Sequence, residues 1–141
     1  MAVMFPSEEW VKAYGEEIKS KPDYKEGGKN WRYGPVVLII NAKPDIGIKE
    51  DFLIYLDLHE GQCRDCRTCT PEEAEKQPFI IRGDYERWKS VVKAELEPVK
   101  GMMQGKLRLK GDLPIIVRNI EAAKSLVKCA TYVDTKFIDE A

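Results

Sequence analysis

One segment of the chain concentrates residue types that bind metals or exchange electrons. His59, Cys63, Cys66 and Cys69 lie within eleven residues. Imidazole nitrogen and thiolate sulfur are zinc ligands, and a C-x-x-C-x-x-C spacing also begins some iron–sulfur ligand sets. The four residues would have to close around a metal within one short loop, and the iron–sulfur pattern lacks its fourth cysteine and its proline. Free thiols or one disulfide are therefore the simpler interpretation, and a redox- or metal-responsive protein is the alternative hypothesis.

No recognisable motif assembles catalytic groups. His59 is the only histidine and falls on the polar side of a predicted strand. None of the four serines lies on a nucleophile elbow. The segment Gly101–Lys106 resembles a phosphate-binding loop, but it is one residue short and lacks the Ser or Thr that holds magnesium. We therefore expect no catalysis and no cofactor.

The composition gives no sign that the protein binds nucleic acid or spans a membrane. The 141 residues suit one domain spanning 1–141, and the charged residues, 33% of the chain, leave a net charge of -1. Such a balance gives no general attraction to nucleic acid. The longest apolar run, Val36–Ile40, is far short of the ~20 residues of a membrane-spanning helix, and the first ten residues lack the basic region of a secretory signal. We expect a cytoplasmic protein, with a homodimer as one open assembly state.

Periodicity in the N-terminal half predicts two helices and two strands. The helices run from Glu8 to Lys19 and from Pro22 to Glu26, and the strands are Val36–Ile40 and Phe52–His59. The strands form an antiparallel hairpin with a long loop between them. The polar segment from Glu60 to Gln77 is predicted as a loop, with a short helix beginning at Pro71 behind the cap Thr70.

The C-terminal half contains two copies of the same strand-to-helix connection, which we call a corner. A short strand with apolar residues on alternate positions runs into Gly-Asp, and a helix follows. The glycine can adopt backbone angles that other residues resist, and the aspartate can cap the helix. The corners are Gly83-Asp84 and Gly111-Asp112. The predicted elements are strands 78–82 and 106–110, helices 85–95, 98–105 and 113–130, and an extended segment at 136–138.

These elements indicate an α+β fold, an antiparallel sheet of about five strands covered on one face by helices. The adjacent methionines Met102 and Met103 adapt to variable apolar shapes, which favours an apolar cavity for a lipid-like ligand over a fully packed core. Pattern alone is equally compatible with the packed core. The candidate ligand-binding residues are Phe79, Ile81, Trp88, Val91, Val92, Met102, Met103, Leu107, Leu109, Leu113, Ile116, Val117 and Ile120.

Three motifs in this half carry a family resemblance. They are Gly83–Trp88 (GDYERW), Glu95–Pro98 (ELEP) and Met103–Asp112 (MQGKLRLKGD). With them the chain resembles the sterol carrier protein (type two) lipid-binding domain family, most clearly in its C-terminal half.

The resemblance implies a hydrophobic tunnel inside the α+β domain. It also implies non-catalytic binding and carriage of fatty acids, fatty acyl-CoA or sterols, either alone or as an accessory lipid-binding domain of a partner enzyme. Lys106 and Arg108 are candidates for neutralising a carboxylate at the mouth of the tunnel. The cysteine segment is not part of the resemblance.

Overall fold

The computed structural model describes all residues, 1–141, as a five-stranded sheet, a two-stranded sheet and seven α-helices. The strands are β1 (Val3–Phe5), β2 (Val36–Ile40), β3 (Phe52–His59), β4 (Gln62–Thr68), β5 (Phe79–Gly83), β6 (Arg108–Lys110) and β7 (Thr135–Phe137). The helices are α1 (Glu8–Ser20), α2 (Pro22–Gly27), α3 (Pro71–Glu75), α4 (Tyr85–Val92), α5 (Pro98–Met103), α6 (Leu113–Arg118) and α7 (Ile120–Thr131). Short 3₁₀ turns lie at Pro44–Ile46 and Ile138–Glu140.

The large sheet has the strand order β4-β3-β2-β5-β6. Three of its pairings are antiparallel, including the predicted β2–β3 hairpin, while β2 and β5 run parallel. The parallel pair arises because α3 returns the chain across the sheet after β4, so that β5 begins at the same end as β2. The α+β class and the five-stranded sheet are confirmed, and the sheet is mixed rather than purely antiparallel.

The cysteine segment is a strand rather than a loop. A tight turn at Glu60 and Gly61, both with positive φ, leads from β3 into β4. The pairing shifts register between Asp57 and Leu58, so that Cys63 lies opposite Leu58 and Cys66 opposite Leu56. Both cysteines therefore face the main core although they are three residues apart. The prediction was wrong here because this irregularity breaks the apolar alternation that marks a strand.

Several helix and strand ends also differ from the prediction. The helix predicted over 113–130 is divided at Asn119, whose side-chain amide donates to the Ile115 carbonyl at 2.8 Å and competes with the helical backbone pattern. The helix predicted to reach residue 95 ends at Val92, before Ala94 takes a positive φ of 60°. The extended tail forms β7, which pairs in parallel with the unpredicted strand β1.

The two Gly-Asp corners are built differently. Asp112 caps α6 by accepting from the Ile115 N–H at 3.4 Å, and Gly111 has a φ of 149°. Asp84 does not cap α4 through its side chain; its Oδ1 accepts from Asn41 Nδ2 at 2.9 Å. Gly83 is needed for space, because a Cβ there would lie 2.6 Å from Leu107 Cδ2.

The main core lies between one face of the sheet and every helix except α3. On the opposite face α3 covers a smaller apolar cluster, consisting of Val37, Ile39, Leu53, Ala74 and Ile80. Helices thus lie on both faces, although most pack on the predicted one. None of the helices combines the length and apolar character that crossing a bilayer requires.

Candidate functional site

An apolar cavity of about 90 Å³ lies in the main core, between the sheet and the helices. Of its 24 lining residues, 22 are hydrophobic. Successive side chains of a strand point to opposite faces, so every second residue of the central strands reaches the cavity. The contributing sheet residues are Val36, Leu38, Ile40, Ile54, Leu56, Leu58 and Ile81.

Short side chains on α7 face this sheet. Ala122, Ala123 and Ala130 line the cavity, together with Asn119, Leu126 and Val127. Their spacing follows one stripe of a helix. An alanine leaves room where a larger residue would reach the opposite wall, and protein interiors otherwise pack with few voids. The alanines of α7 therefore leave part of the space between this helix and the sheet unfilled.

Aromatic residues form much of the remaining wall, and internal hydrogen bonds hold four of their rings. Each of these donors finds an acceptor at 2.9 Å. The pairs are Trp10 Nε1 with Thr135 Oγ1, Trp31 Nε1 with the Gly34 carbonyl, Trp88 Nε1 with the Ile39 carbonyl, and the Tyr14 hydroxyl with the Leu126 carbonyl. Such bonds orient amphipathic rings inside an apolar wall.

The cavity carries no charge. No Asp, Glu, Lys, Arg or His is among its lining residues. Burial raises the pKa of the Tyr14 and Tyr24 phenols, which stay protonated through the physiological range. The arrangement can hold an uncharged apolar group, and nothing in it positions a nucleophile or a general base.

Six of the thirteen predicted ligand-binding residues line this cavity. They are Ile81, Trp88, Val91, Val92, Met102 and Ile116. Phe79 and Leu107 are buried in the core outside the cavity lining, and Leu109, Leu113 and Ile120 are half-buried.

Met103 and Val117 point mostly to solvent, with 67% and 41% of their surfaces exposed. Met103 is the last residue of α5, and the break at Asn119 ends the continuous stripe to which Val117 was assigned. Of the two adjacent methionines, only Met102 contributes to the cavity.

The N-terminal half supplies the wall that the prediction omitted. Phe5, Trp10, Tyr14, Tyr24 and Trp31 all line the cavity. The stripe of α1 and the alternation of β3 marked these regions as buried faces. No sequence signal distinguishes a buried face that fills its space from one that leaves a gap.

Of the four residues of the alternative metal or redox site, only Cys63 and Cys66 lie together, because Cys69 packs against the smaller cluster on the opposite face of the sheet. Cys66 Sγ contacts the Val11 carbonyl of α1 at 3.4 Å, whereas His59 Nε2 lies 3.1 Å from a carboxylate oxygen of Glu60. No three His, Cys, Asp or Glu side chains form a metal-binding group, and all four cysteines are free thiols. The side-chain interaction between the two neighbouring thiols lowers the pKa of Cys63 and raises the pKa of Cys66. The four predicted ligands do not converge.

A second cavity, of about 300 Å³, lies on the opposite face of the sheet beside α3. Although larger, it is lined by five charged residues, namely Asp51, Glu75, Arg82, Arg108 and Lys110. Arg108 is therefore separated from the apolar cavity by the sheet, and Lys106 is exposed outside both linings. Neither residue stands where it could neutralise a group inside the apolar cavity.

Comparison with known proteins places these features in a family. Residues 20–124 match the family model described as the SCP-2 sterol transfer family. A search of curated protein sequences finds no match.

Three solved structures show the same fold. A crystal structure of sterol carrier protein 2 is 30% identical, with a TM-score of 0.81, and the match covers 90% of this chain and 97% of that one. The solution structure of a conserved hypothetical protein from Thermus thermophilus is 28% identical, with a TM-score of 0.83 and coverage of 96% and 94%. Palmitated SCP2L2 from Aedes aegypti is similar in fold alone, at 17% identity, a TM-score of 0.52 and coverage of 80% and 93%.

Proposed function

Because the chain belongs to the SCP-2 sterol transfer family, we propose that it carries a lipid whose apolar part occupies the cavity between the sheet and α7. The proposed ligands are fatty acids, fatty acyl-CoA or sterol-like molecules. The observation that carries the proposal is the lining itself, 22 hydrophobic residues among 24. Pockets for small molecules are typically concave and mostly apolar, with few polar groups.

The chemistry supports carriage rather than catalysis. Binding here rests on apolar burial, which is worth about 0.8 kcal/mol per methylene, or on the order of 11 kcal/mol for ~14 methylenes. Ordering and association remove several kcal/mol of this gross figure. Micromolar affinity is the expected result. The only histidine, His59, is outside the cavity lining.

The cavity must widen to admit a long chain. Its volume of about 90 Å³ is below the ~150 Å³ of an engineered apolar cavity that takes up benzene. We expect the widening at α6 and its joint with α7. Within α6 only Ile116 is fully buried, and Asn119 already interrupts the helical backbone there. Elements held by few buried contacts are those that open first.

Native mass spectrometry of protein purified without detergent tests the proposal directly. We expect a population heavier than the polypeptide by the mass of one lipid, which denaturation releases. Addition of unlabelled fatty acid should then displace a fluorescent fatty acid from the protein. A clean polypeptide mass together with no uptake of the fluorescent fatty acid would overturn the proposal.

A further inference from the structure

One of the residues that line the apolar cavity, Tyr24, has a polar group without a hydrogen-bond partner. The Tyr24 hydroxyl is completely buried and forms no hydrogen bond, whereas the Trp10, Trp31, Trp88 and Tyr14 donors all do. A buried polar group without a hydrogen bond is costly, so native structures retain few of them. In a cavity wall, a ligand atom is the natural partner for such a group.

Packing holds the Tyr24 ring in this position. The ring lies over Gly28, where a Cβ would come within 2.3 Å of the ring Cζ and 2.8 Å of the hydroxyl oxygen. Glycine at position 28 therefore permits the tyrosine to occupy the space between α2 and the core. A donor that is already fixed loses little entropy when it binds a ligand.

The surroundings of this hydroxyl decide which head group it can accept. The cavity lining contains no cation, and the titratable neighbour that affects the Tyr24 phenol is the Cys63 thiol. An ionised carboxylate buried here would lack a counter-charge, and burying an unpaired charge costs far more than one hydrogen bond returns. A neutral oxygen meets no such penalty.

We propose, on the premise that the protein carries lipids, that the Tyr24 hydroxyl binds a neutral oxygen of the ligand, such as that of an alcohol or an ester carbonyl. The cavity thereby selects lipids with uncharged heads, which enter head-first, over ionised fatty acids, whose carboxylate has to stay outside. Tyr24 is thus a specificity-determining residue for the head group.

Competition binding tests this selection with two probes of equal chain length, 1-hexadecanol and hexadecanoate, at pH 8. Each displaces pyrene, an apolar fluorescent hydrocarbon, from the wild type, Tyr24→Phe and Tyr132→Phe. We expect the wild type to prefer the alcohol. Tyr24→Phe should weaken alcohol binding about fivefold, the worth of one hydrogen bond, and leave hexadecanoate binding unchanged. Tyr132→Phe is the matched control, because its hydroxyl contacts Asp23 outside the cavity, and it should keep the wild-type preference.

The outcomes separate this inference from the proposed function. Failure of the wild type to bind either probe or pyrene overturns lipid carriage itself. Binding of both probes with no preference for the alcohol, or unchanged alcohol affinity in Tyr24→Phe, overturns only the role of Tyr24. The variant is expected to fold, since removing an unpartnered hydroxyl breaks no bond, and its unfolding temperature should be no lower than that of the wild type. The preference of the wild type stands as a test even if the variant fails to fold.

Discussion

Filling the cavity should make the protein more stable and less able to bind lipid. A cavity of about 90 Å³, at roughly 24 cal/mol per Å³, costs about 2 kcal/mol relative to a filled core. Substituting Ala123→Leu adds three carbon atoms to the α7 wall. At ~0.8 kcal/mol each, these carbons contribute about 2.4 kcal/mol, which matches the cost of the cavity. Imperfect fit offsets about 1 kcal/mol of the gain.

The expected net gain is about 1–2 kcal/mol in the free energy of unfolding. For a domain of this size it corresponds to a rise of roughly 3 to 8 °C in the unfolding temperature. The leucine also takes the space of about three ligand methylenes, so the affinity for a fluorescent fatty acid should fall about 50-fold. Stability and binding are thus predicted to change in opposite directions.

Thermal unfolding and fluorescence titration measure the two effects on the same samples. Lys124→Leu is the matched control, because it adds apolar surface to the next, exposed position of α7 without reaching the cavity. It should leave both quantities near wild type. If Ala123→Leu bound the fatty acid as the wild type does, the ligand could not occupy this cavity. A lower unfolding temperature would show that the space beside Ala123 does not accept a side chain.

Two further predictions concern side-chain hydrogen bonds that stabilise the fold. Trp88→Phe removes the hydrogen bond from the buried indole to the Ile39 carbonyl and should lower the free energy of unfolding by about 2 kcal/mol in urea titrations; an unchanged midpoint would contradict it. Hydrogen bonds from the Tyr85 hydroxyl and then from Lys89 lower the pKa of Asp139, so its contribution to stability is present above pH ~4 and is lost as the pH falls through the folded-state pKa. Asp139→Asn should therefore flatten the loss of stability between about pH 5 and 2 in acid titrations; a slope equal to that of the wild type would refute the assignment.

The strongly periodic elements could be predicted from the sequence because their signals are local. Helix α1 begins behind its cap Ser7, and β3 alternates cleanly between buried Ile54, Leu56 and Leu58 and the residues of the opposite face. The C-terminal motifs additionally identified the family. These features need no knowledge of distant contacts.

The remaining features depend on contacts that the sequence does not display. Strand β1 has three residues, too few to show a period, and it exists only because β7 pairs with it. Strand β4 lacks the regular apolar alternation of a strand, because its pairing with β3 shifts register. The cavity is even harder to predict from the sequence, since Val91 at its wall and Leu107 in the packed core are both buried apolar residues. Whether such residues meet or leave a gap depends on side-chain lengths across two elements.

The pairing of β1 with β7 has a consequence for synthesis on the ribosome. Val3 pairs with Thr135 and Phe5 pairs with Phe137, so the partners lie about 130 residues apart along the chain. Phe5 is also part of the cavity wall, where its ring packs against Trp10 at 4.7 Å between centroids. During synthesis, β1 therefore has no strand to pair with until β7 has been made. The chain segment between the two strands must fold back so that its ends meet before they can pair. The part of the cavity wall that contains Phe5 is therefore completed only after residue 137 has left the ribosome.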